Sequence, residues 1–215
     1  MINKILDLFF PPTCGLCGKI GKHWICGTCY RKIKPFIKLK RVQVKKNLFV
    51  NYMFLYGGDL RDLLLSFKFN ENSYLFRLFV EIICRDKKVS EIIKKSDFII
   101  PVPMYKDTKK RRGYNQTELI CEGISKRKDI LYDNSILIQI KNNKTQSLLN
   151  RFERNQNIKN VYDIKNIDRI KNRNIILFDD ICTTGATINE CYKILNRYAK
   201  EVTVLVLAKS NYKKG

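Results

Sequence analysis

The chain has 215 residues, a hydrophobic content of 45% and a formal net charge of +22. This length and apolar content are those of a globular protein that buries a full core. No apolar run approaches the roughly 20 residues that a membrane-spanning helix needs. The N-terminal stretch MINKILDLFFPP has too short an apolar run for a secretory signal and lacks a small-residue cleavage site. We therefore expect a cytoplasmic protein without a membrane span.

The positive charge is concentrated at the N-terminal end. Residues 1–50 contain eleven Lys or Arg and a single acid, Asp7. Clustered positive charge attracts polyphosphates and nucleic acid. However, 29 of the 42 basic residues are Lys, and Asn is also abundant, as in chains with a general Lys and Asn bias. The charge by itself leaves a nucleic-acid role and a compositional bias equally open.

Two matched cysteine pairs lie near the N-terminus: Cys14 with Cys17, and Cys26 with Cys29. Two Cys-x-x-Cys pairs can surround a Zn²⁺ ion with four thiolates. Disulfides are disfavoured because cytoplasmic thiols are kept reduced, and a catalytic dithiol is disfavoured because no strand precedes the pairs. We predict a structural zinc module over residues 1–34.

The next segment, residues 35–56, is predicted to be a basic linker with short hood strands. Pro35 to Val50 alternates weakly and carries several lysines. This pattern is typical either of an arm that contacts nucleic acid or of an edge strand that lysines protect from aggregation. Tyr52 to Tyr56 is predicted to be a second strand, and residues 57–215 are predicted to form the main domain.

From Asp59 the apolar spacing changes to that of helices. Two apolar stripes at helical spacing predict a pair of helices that covers the sheet or forms a hood over its mouth. Lys68 directly follows the first stripe and is predicted to be a solvent or domain-interface residue. The stripes are Leu60, Leu63, Leu64 and Phe67, then Leu75, Leu78, Phe79, Ile82 and Ile83.

Phe98 to Val102 is predicted to be a buried strand, and the basic segment Tyr105 to Glu118 follows it. A basic loop after a core strand can hold pyrophosphate by charge and by backbone N–H groups. A solvated charge run explains Lys106 to Lys110 well but explains the RGYNQ string badly. The residues expected to face the site are Arg112, Gly113, Asn115 and Gln116.

Ile136 to Ile140 is predicted to be a short strand, and a mostly polar segment, residues 141–157, follows it. Few apolar anchors and several cations or amides fit a mobile flap that closes over a polyanion. A disordered surface loop with a short helix is the alternative. The flap residues expected to contact the ligand are Lys144, Gln146, Arg151 and Arg154.

The stretch NIILFDDICTTGAT, residues 174–187, carries the clearest chemical pattern. A buried strand ends at two adjacent acids, Asp179 and Asp180, which can accept hydrogen bonds from neighbouring ribose hydroxyls. The loop beyond them offers hydroxyls, a flexible glycine and the start of a helix, which together suit a phosphate. Helix capping alone needs one such residue and not a whole set. The predicted phosphate loop is Thr183, Thr184, Gly185, Ala186 and Thr187.

The string DDICTTGAT resembles the signature of the type I phosphoribosyltransferases. That resemblance implies an α/β fold with a mostly parallel sheet flanked by helices. It also implies binding of phosphoribosyl pyrophosphate (PRPP) together with Mg²⁺, with the acids on the ribose hydroxyls and the threonine-glycine loop on the 5′-phosphate. Val202 to Ala208 is predicted to be a further buried strand of this sheet.

The whole chain resembles the ComF (GntX) family of competence proteins. The resemblance rests on the paired cysteines, YGGDLRDLL, PVP with RRGYNQTE, KTQSLLNRFERNQN and DDICTTGAT, which occur in this order. It implies a role in natural transformation, with imported single-stranded DNA as a partner and a protein of DNA uptake or recombination as a second one. Whether the chain also transfers a phosphoribosyl group, and to which acceptor, is left open by the sequence.

Overall fold

A computed structural model of the chain describes residues 11–69, 72–141 and 161–210. Its main sheet has six strands in the order β1-β2-β8-β7-β3-β4, in which β1 is antiparallel to β2 and all other neighbours are parallel. A separate antiparallel pair consists of β5 and β6. The strands are β1 Lys40–Lys45, β2 Leu48–Leu55, β3 Phe98–Pro101, β4 Leu131–Tyr132, β5 Leu137–Gln139, β6 Tyr162–Ile164, β7 Asn174–Cys182 and β8 Glu201–Lys209.

Helices cover both faces of this sheet. In the part of the chain that the structure describes, no helix is both long and apolar enough to cross a bilayer. Short 3₁₀ turns occur at Lys34–Phe36, Ser73–Leu75 and Ile167–Arg169. The α-helices are α1 Gly27–Ile33, α2 Gly58–Phe69, α3 Phe76–Arg85, α4 Lys87–Lys94, α5 Lys106–Arg112, α6 Gln116–Lys128 and α7 Ala186–Leu195.

The central strands β7 and β8 are apolar on both faces because each face is packed. Helices α2, α3, α4 and α6 form one core with the zinc-module residues Ile25 and Ile33. Helix α7 and the β5–β6 pair form a second core on the opposite face. This arrangement is typical of parallel strands, which carry continuous apolar runs. The predicted buried strands Ile175 to Phe178 and Val202 to Ala208 are confirmed.

The segment 35–56 contributes strands to the main sheet. Strand β2 pairs in parallel with β8, so that Val50 lies opposite Val204 and Phe54 lies opposite Ala208. Strand β1 then forms the edge of the sheet, where its lysines are exposed. The edge-strand interpretation therefore describes this segment better than a free arm does. The domain bounds proposed from the sequence stay a prediction.

The basic segment after β3 is helical, which corrects the predicted loop. Residues Lys106–Arg112 form α5, because Lys and Arg are good helix formers and Gly113 ends the helix at a φ of 84°. Asn115 then caps α6, with its side chain accepting a hydrogen bond from the backbone N–H of Thr117. The loop that remains after β3 is short.

The zinc module is attached to α3 by a buried carboxylate. Glu81 is 1% exposed, and its Oε2 accepts a hydrogen bond of 3.0 Å from the backbone N–H of Trp24. Its Oε1 lies 2.5 Å from an Arg85 guanidinium nitrogen and 3.2 Å from His23 Nδ1. The Arg77 guanidinium lies over the Trp24 ring at 4.4 Å. These contacts fix the module on the main domain.

We expect Glu81→Ala to lower the free energy of unfolding by about 2 to 3 kcal/mol, because it removes the buried acceptor that the Trp24 N–H and Arg85 share. Urea denaturation followed by circular dichroism measures this change. Glu91→Ala is the matched control, since Glu91 is exposed on α4. Equal losses in the two variants would show that Glu81 has no anchoring role.

Candidate functional site

A polar cleft of about 500 Å³ opens at the carboxyl ends of β3 and β7. This is the edge at which parallel α/β sheets bind ligands. The two acids of β7, Asp179 and Asp180, line the cleft together with the loop that follows them. The acid pair and the threonine-glycine loop therefore face one common space, as the sequence pattern requires for a single ligand.

The loop after β7 has the geometry of an anion site. Gly185 adopts a φ of 74° and precedes the first turn of α7. A Cβ atom at this position would lie 3.0 Å from Val44 Cγ2, so both the backbone and the space favour glycine. Thr183, Thr184 and Thr187 line the cleft around it. The backbone N–H groups at the start of α7 and these hydroxyls can together hold one phosphate.

The two neighbouring acids differ in their electrostatic environment. The Oδ1 atom of Asp179 accepts a hydrogen bond of 2.8 Å from the backbone N–H of Asp180. Burial, reinforced by the charge of Asp180, raises the pKa of Asp179 to about 8, although the nearby Lys68 acts in the opposite direction. Both groups keep oxygen atoms in the cleft, where they can accept hydrogen bonds from a diol.

Lys68, at the end of α2, reaches into this cleft. Its Nζ lies 3.3 Å from Asp180 Oδ2, and the two side chains are 28% and 12% exposed. The charge of Asp180 raises the pKa of Lys68 despite burial. The interpretation of Lys68 as a solvent or interface residue is therefore wrong. Its position four residues after Leu64, on the apolar stripe of α2, was the sequence signal for an inward direction.

Three of the four predicted pyrophosphate residues line the cleft, namely Arg112, Asn115 and Gln116. Arg112 donates a hydrogen bond of 2.8 Å to Gln116 Oε1, and burial lowers its pKa. The amide of Asn115 is engaged in capping α6 and in a contact with Glu118. Gly113 ends α5 and is not among the lining residues. Any pyrophosphate contact by this group stays a prediction.

The cleft also has walls that the sequence patterns did not indicate. Tyr56 at the end of β2, Tyr162 on β6 and Ser210 after β8 all line it. Burial raises the pKa of Tyr162, whose hydroxyl hydrogen-bonds with Thr187. These residues come from distant segments, so no local motif marks them. The predicted flap residues Lys144, Gln146, Arg151 and Arg154 lie outside the described residues.

The four cysteines of the N-terminal module form a metal site. The Sγ atoms of Cys14, Cys17, Cys26 and Cys29 all lie within 4.8 Å of one another. The distance of 3.8 Å between Cys17 Sγ and Cys26 Sγ equals the edge of a tetrahedron with a metal–sulfur distance of about 2.3 Å. Although burial acts in the opposite direction, backbone hydrogen bonds from Cys26, Cys17 and Leu16 lower the pKa of Cys14 to about 6. This donor set fits structural Zn²⁺.

Comparison with known proteins agrees with both parts of the chain. Residues 5–41 match the double zinc ribbon domain. Competence protein F of Haemophilus influenzae is 31% identical over 206 residues, which cover 93% of this chain and 85% of that protein. The DNA utilization protein YhgH of Escherichia coli strain K12 is 27% identical over 190 residues, which cover 86% of this chain and 77% of that protein.

Among solved structures, the adenine phosphoribosyltransferase of Thermoanaerobacter pseudethanolicus superposes with a TM-score of 0.41 and 15% identity, covering 83% of this chain and 98% of that chain. This score is low, so the fold assignment depends on the strand order and on the position of the DDICTTGAT motif.

The parallel sheet, the motif at the end of β7 and the four-cysteine module define the class of protein. It is an α/β protein of the type I phosphoribosyltransferase fold with an N-terminal zinc module. The extent of the match to competence protein F then decides the family: the chain belongs to the ComF family of competence proteins.

We expect Cys14→Ala to lose zinc and to unfold the module, because metal-binding energy is folding energy in such small sites. Zinc content per chain, measured by atomic absorption, should fall well below one equivalent. Cys84→Ala is the control, since Cys84 lies on α3 outside the metal site. One full equivalent of zinc in Cys14→Ala would contradict the four-thiolate site.

The raised pKa of Asp179 predicts a pH dependence of stability. The folded state binds this proton more tightly than the unfolded state does, so the stabilisation is complete below pH 4 and is lost as the pH rises through about 8. When the pH rises from 6 to 8.5, we expect the free energy of unfolding of Asp179→Asn to increase by about 2 to 3 kcal/mol relative to that of the natural chain. Urea denaturation at both pH values measures the stability of the two chains. If their difference in stability were the same at both pH values, the raised pKa of Asp179 would be contradicted.

Proposed function

We propose that this chain binds PRPP with Mg²⁺ in the cleft at the end of β7 and acts in the handling of single-stranded DNA during natural transformation, on the cytoplasmic side of uptake. The observation that carries the proposal is that the acid pair and the threonine-glycine loop line one cavity of about 500 Å³. A ribose that carries a 5′-phosphate can present its hydroxyls to the acid pair and its phosphate to the loop.

In this proposal each part of the cleft has one task. Asp179 and Asp180 accept hydrogen bonds from the two ribose hydroxyls, and the loop of residues 183–187 binds the 5′-phosphate through hydroxyls and backbone N–H groups. Lys68 and Arg112 supply the positive charge for the pyrophosphate, since both line the same cleft.

Lys68 gives the free cleft a defined charge balance. Its contact of 3.3 Å with Asp180 neutralises an acid that would otherwise repel an incoming polyphosphate. When Asp180 accepts a hydroxyl hydrogen bond instead, the flexible ammonium group can turn to a phosphate oxygen. Mg²⁺ enters with PRPP, because oxygen ligands of ribose, pyrophosphate and carboxylates suit this hard cation.

The proposed role in transformation is supported by the relatives and by the charge. One similar protein is named a competence protein and another a DNA utilization protein. Residues 1–50 carry eleven Lys or Arg against one acid, and the lysines of β1 are exposed at the sheet edge. Exposed clustered lysines bind a phosphate backbone or an acidic partner from the uptake or recombination machinery.

We expect Asp179→Ala combined with Asp180→Ala to weaken PRPP binding at least about 100-fold, because both side chains that accept hydrogen bonds from the ribose hydroxyls are lost. Isothermal titration calorimetry with PRPP and Mg²⁺ measures the affinity. Asp62→Ala combined with Asp168→Ala is the matched control for charge, since both acids are exposed. Normal PRPP binding by the first double variant would show that the ligand does not occupy this cleft.

The same preparation separates binding from transfer. Under the proposal, PRPP stays intact during incubation with the purified chain and Mg²⁺, and an excess of cell extract adds no chain-dependent release of pyrophosphate. If the chain did release pyrophosphate and the Asp179 and Asp180 double variant did not, the chain would be a phosphoribosyltransferase and the binding role would be wrong.

A further inference from the structure

A second cavity lies between the zinc module and the main sheet. It has a volume of about 630 Å³ and a mainly apolar lining, in contrast to the polar cleft. We call it the hood groove. Its residues are Lys32, Ile33, Pro35, Phe36, Lys38, Lys40, Tyr52, Phe54, Leu55, Gly57, Gly58, Asp59 and Leu60.

The hood groove exposes large apolar side chains to solvent. Phe36 is 70% exposed and Leu55 is 41% exposed, and both lie on the groove wall. Neighbouring Phe54 is buried and forms part of the floor. A contiguous apolar surface with a polar rim is typical of a binding site, because a monomer gains nothing by leaving it open to water.

The pairing of β1 with β2 brings two cations and two aromatic residues to the groove at the sheet edge. Lys40 lies directly opposite Tyr52 in the β1–β2 ladder. The backbone N–H of Lys38 donates to Met53 O at 2.8 Å, which continues the pairing beyond β1. Lys38, Lys40, Tyr52 and Phe54 all line the groove.

The cations of the groove are not balanced by acids. Its one lining acid, Asp59, is engaged with Lys32 at 2.7 Å. Across the described residues, neither Lys38 nor Lys40 forms an ion pair. The groove therefore combines an apolar floor with two exposed lysines, Lys38 and Lys40, whose charges are not paired with acids of the described residues.

We propose that the hood groove binds single-stranded nucleic acid, with bases against Phe36 and Tyr52 and with phosphates on Lys38 and Lys40. Bases that stack on aromatic rings beside a line of cations are the general mode of sequence-tolerant single-strand binding. A peptide without acidic side chains or a lipid tail would use the apolar floor but would leave the two charges without a partner. A duplex would present its phosphates but not its base faces.

The groove and the PRPP cleft are separate sites that meet at one corner. Tyr56 lines the cleft, while its neighbours Leu55 and Gly57 line the groove. The groove adds a location and a mode of contact to the DNA role proposed above, and does not depend on PRPP binding. A change in the groove should leave the affinity for PRPP intact, so the two proposals fail independently.

Phe36→Ala tests the stacking contact. We expect the affinity for a fluorescein-labelled oligothymidine, measured by fluorescence anisotropy, to fall about tenfold, within the range for loss of one base–aromatic contact. Phe49→Ala is the matched control, because Phe49 is also exposed on β2 but lies outside the groove and under the Arg41 guanidinium. Equal effects of the two changes would overturn the proposal.

The charge contact has its own matched pair of variants. Lys38→Ala combined with Lys40→Ala should reduce the dependence of log affinity on log salt by about 1.4, since each phosphate contact on a single strand contributes about 0.7. Lys45→Ala combined with Lys46→Ala removes the same charge from the same exposed segment outside the groove. If both double variants reduce the slope equally, net charge alone accounts for binding and the groove assignment fails.

Four further measurements complete the test. Zinc content and circular dichroism must match those of the natural chain, which excludes unfolding as the cause of a loss. PRPP affinity should be unchanged in all groove variants. Oligouridine is compared with oligothymidine, and preferential binding of the thymidine strand supports DNA as the source of the ligand. The proposal would be overturned if Phe36→Ala and the Lys38 and Lys40 double variant both bound oligothymidine and oligouridine as tightly as the natural chain does.

Discussion

The structure depends on the way in which two adjacent carboxylates are held at the end of a buried strand. Asp179 and Asp180 follow four apolar residues that pack on both faces of the sheet. Like charges in such a place repel and are poorly solvated, which is why the pKa of Asp179 rises. The surroundings compensate with a backbone N–H from Asp180 and with the ammonium of Lys68.

This compensation connects distant parts of the chain. Lys68 is positioned by α2, which packs through Leu64 and Phe67 into the core shared with α3 and α6. Arg112 is positioned at the end of α5 and is hydrogen-bonded to Gln116. The cleft therefore combines the cations of Lys68 and Arg112 with the acid pair and with the hydroxyls of the threonine loop. A ligand with one sugar and two anionic ends matches that combination.

The zinc module contributes to the same architecture and is not an independent appendage. The Glu81 carboxylate accepts a hydrogen bond from the backbone N–H of Trp24, and Gly15 lies so close to α3 that an added Cβ would come within 2.8 Å of Leu78. The metal closes a short chain segment that has few apolar residues of its own. Its placement against β2 and α2 also creates the apolar hood groove, which neither part would form alone.

Local motifs were sufficient for the features that depend on neighbours in sequence. The cysteine spacing indicated a metal site, and the run from Ile175 to Thr187 indicated a strand, an acid pair and a phosphate loop. The helical spacing of Leu60 to Phe67 indicated α2. In each of these cases a periodic pattern or a short-range turn fixes the local geometry.

Features that depend on packing between distant segments were missed or misread. Residues 105–118 looked like a charged loop because their charge is the most evident feature of the pattern. In the structure they belong to two successive helices, of which Gly113 ends the first and Asn115 caps the second. Lys68 looked solvent-exposed because its partner Asp180 is 112 positions away in the sequence. By itself the sequence determined the metal ligands, the central strands and the acid–phosphate motif. Only the tertiary structure decided which cation meets the acids and where the groove lies, because both depend on contacts that no local pattern encodes.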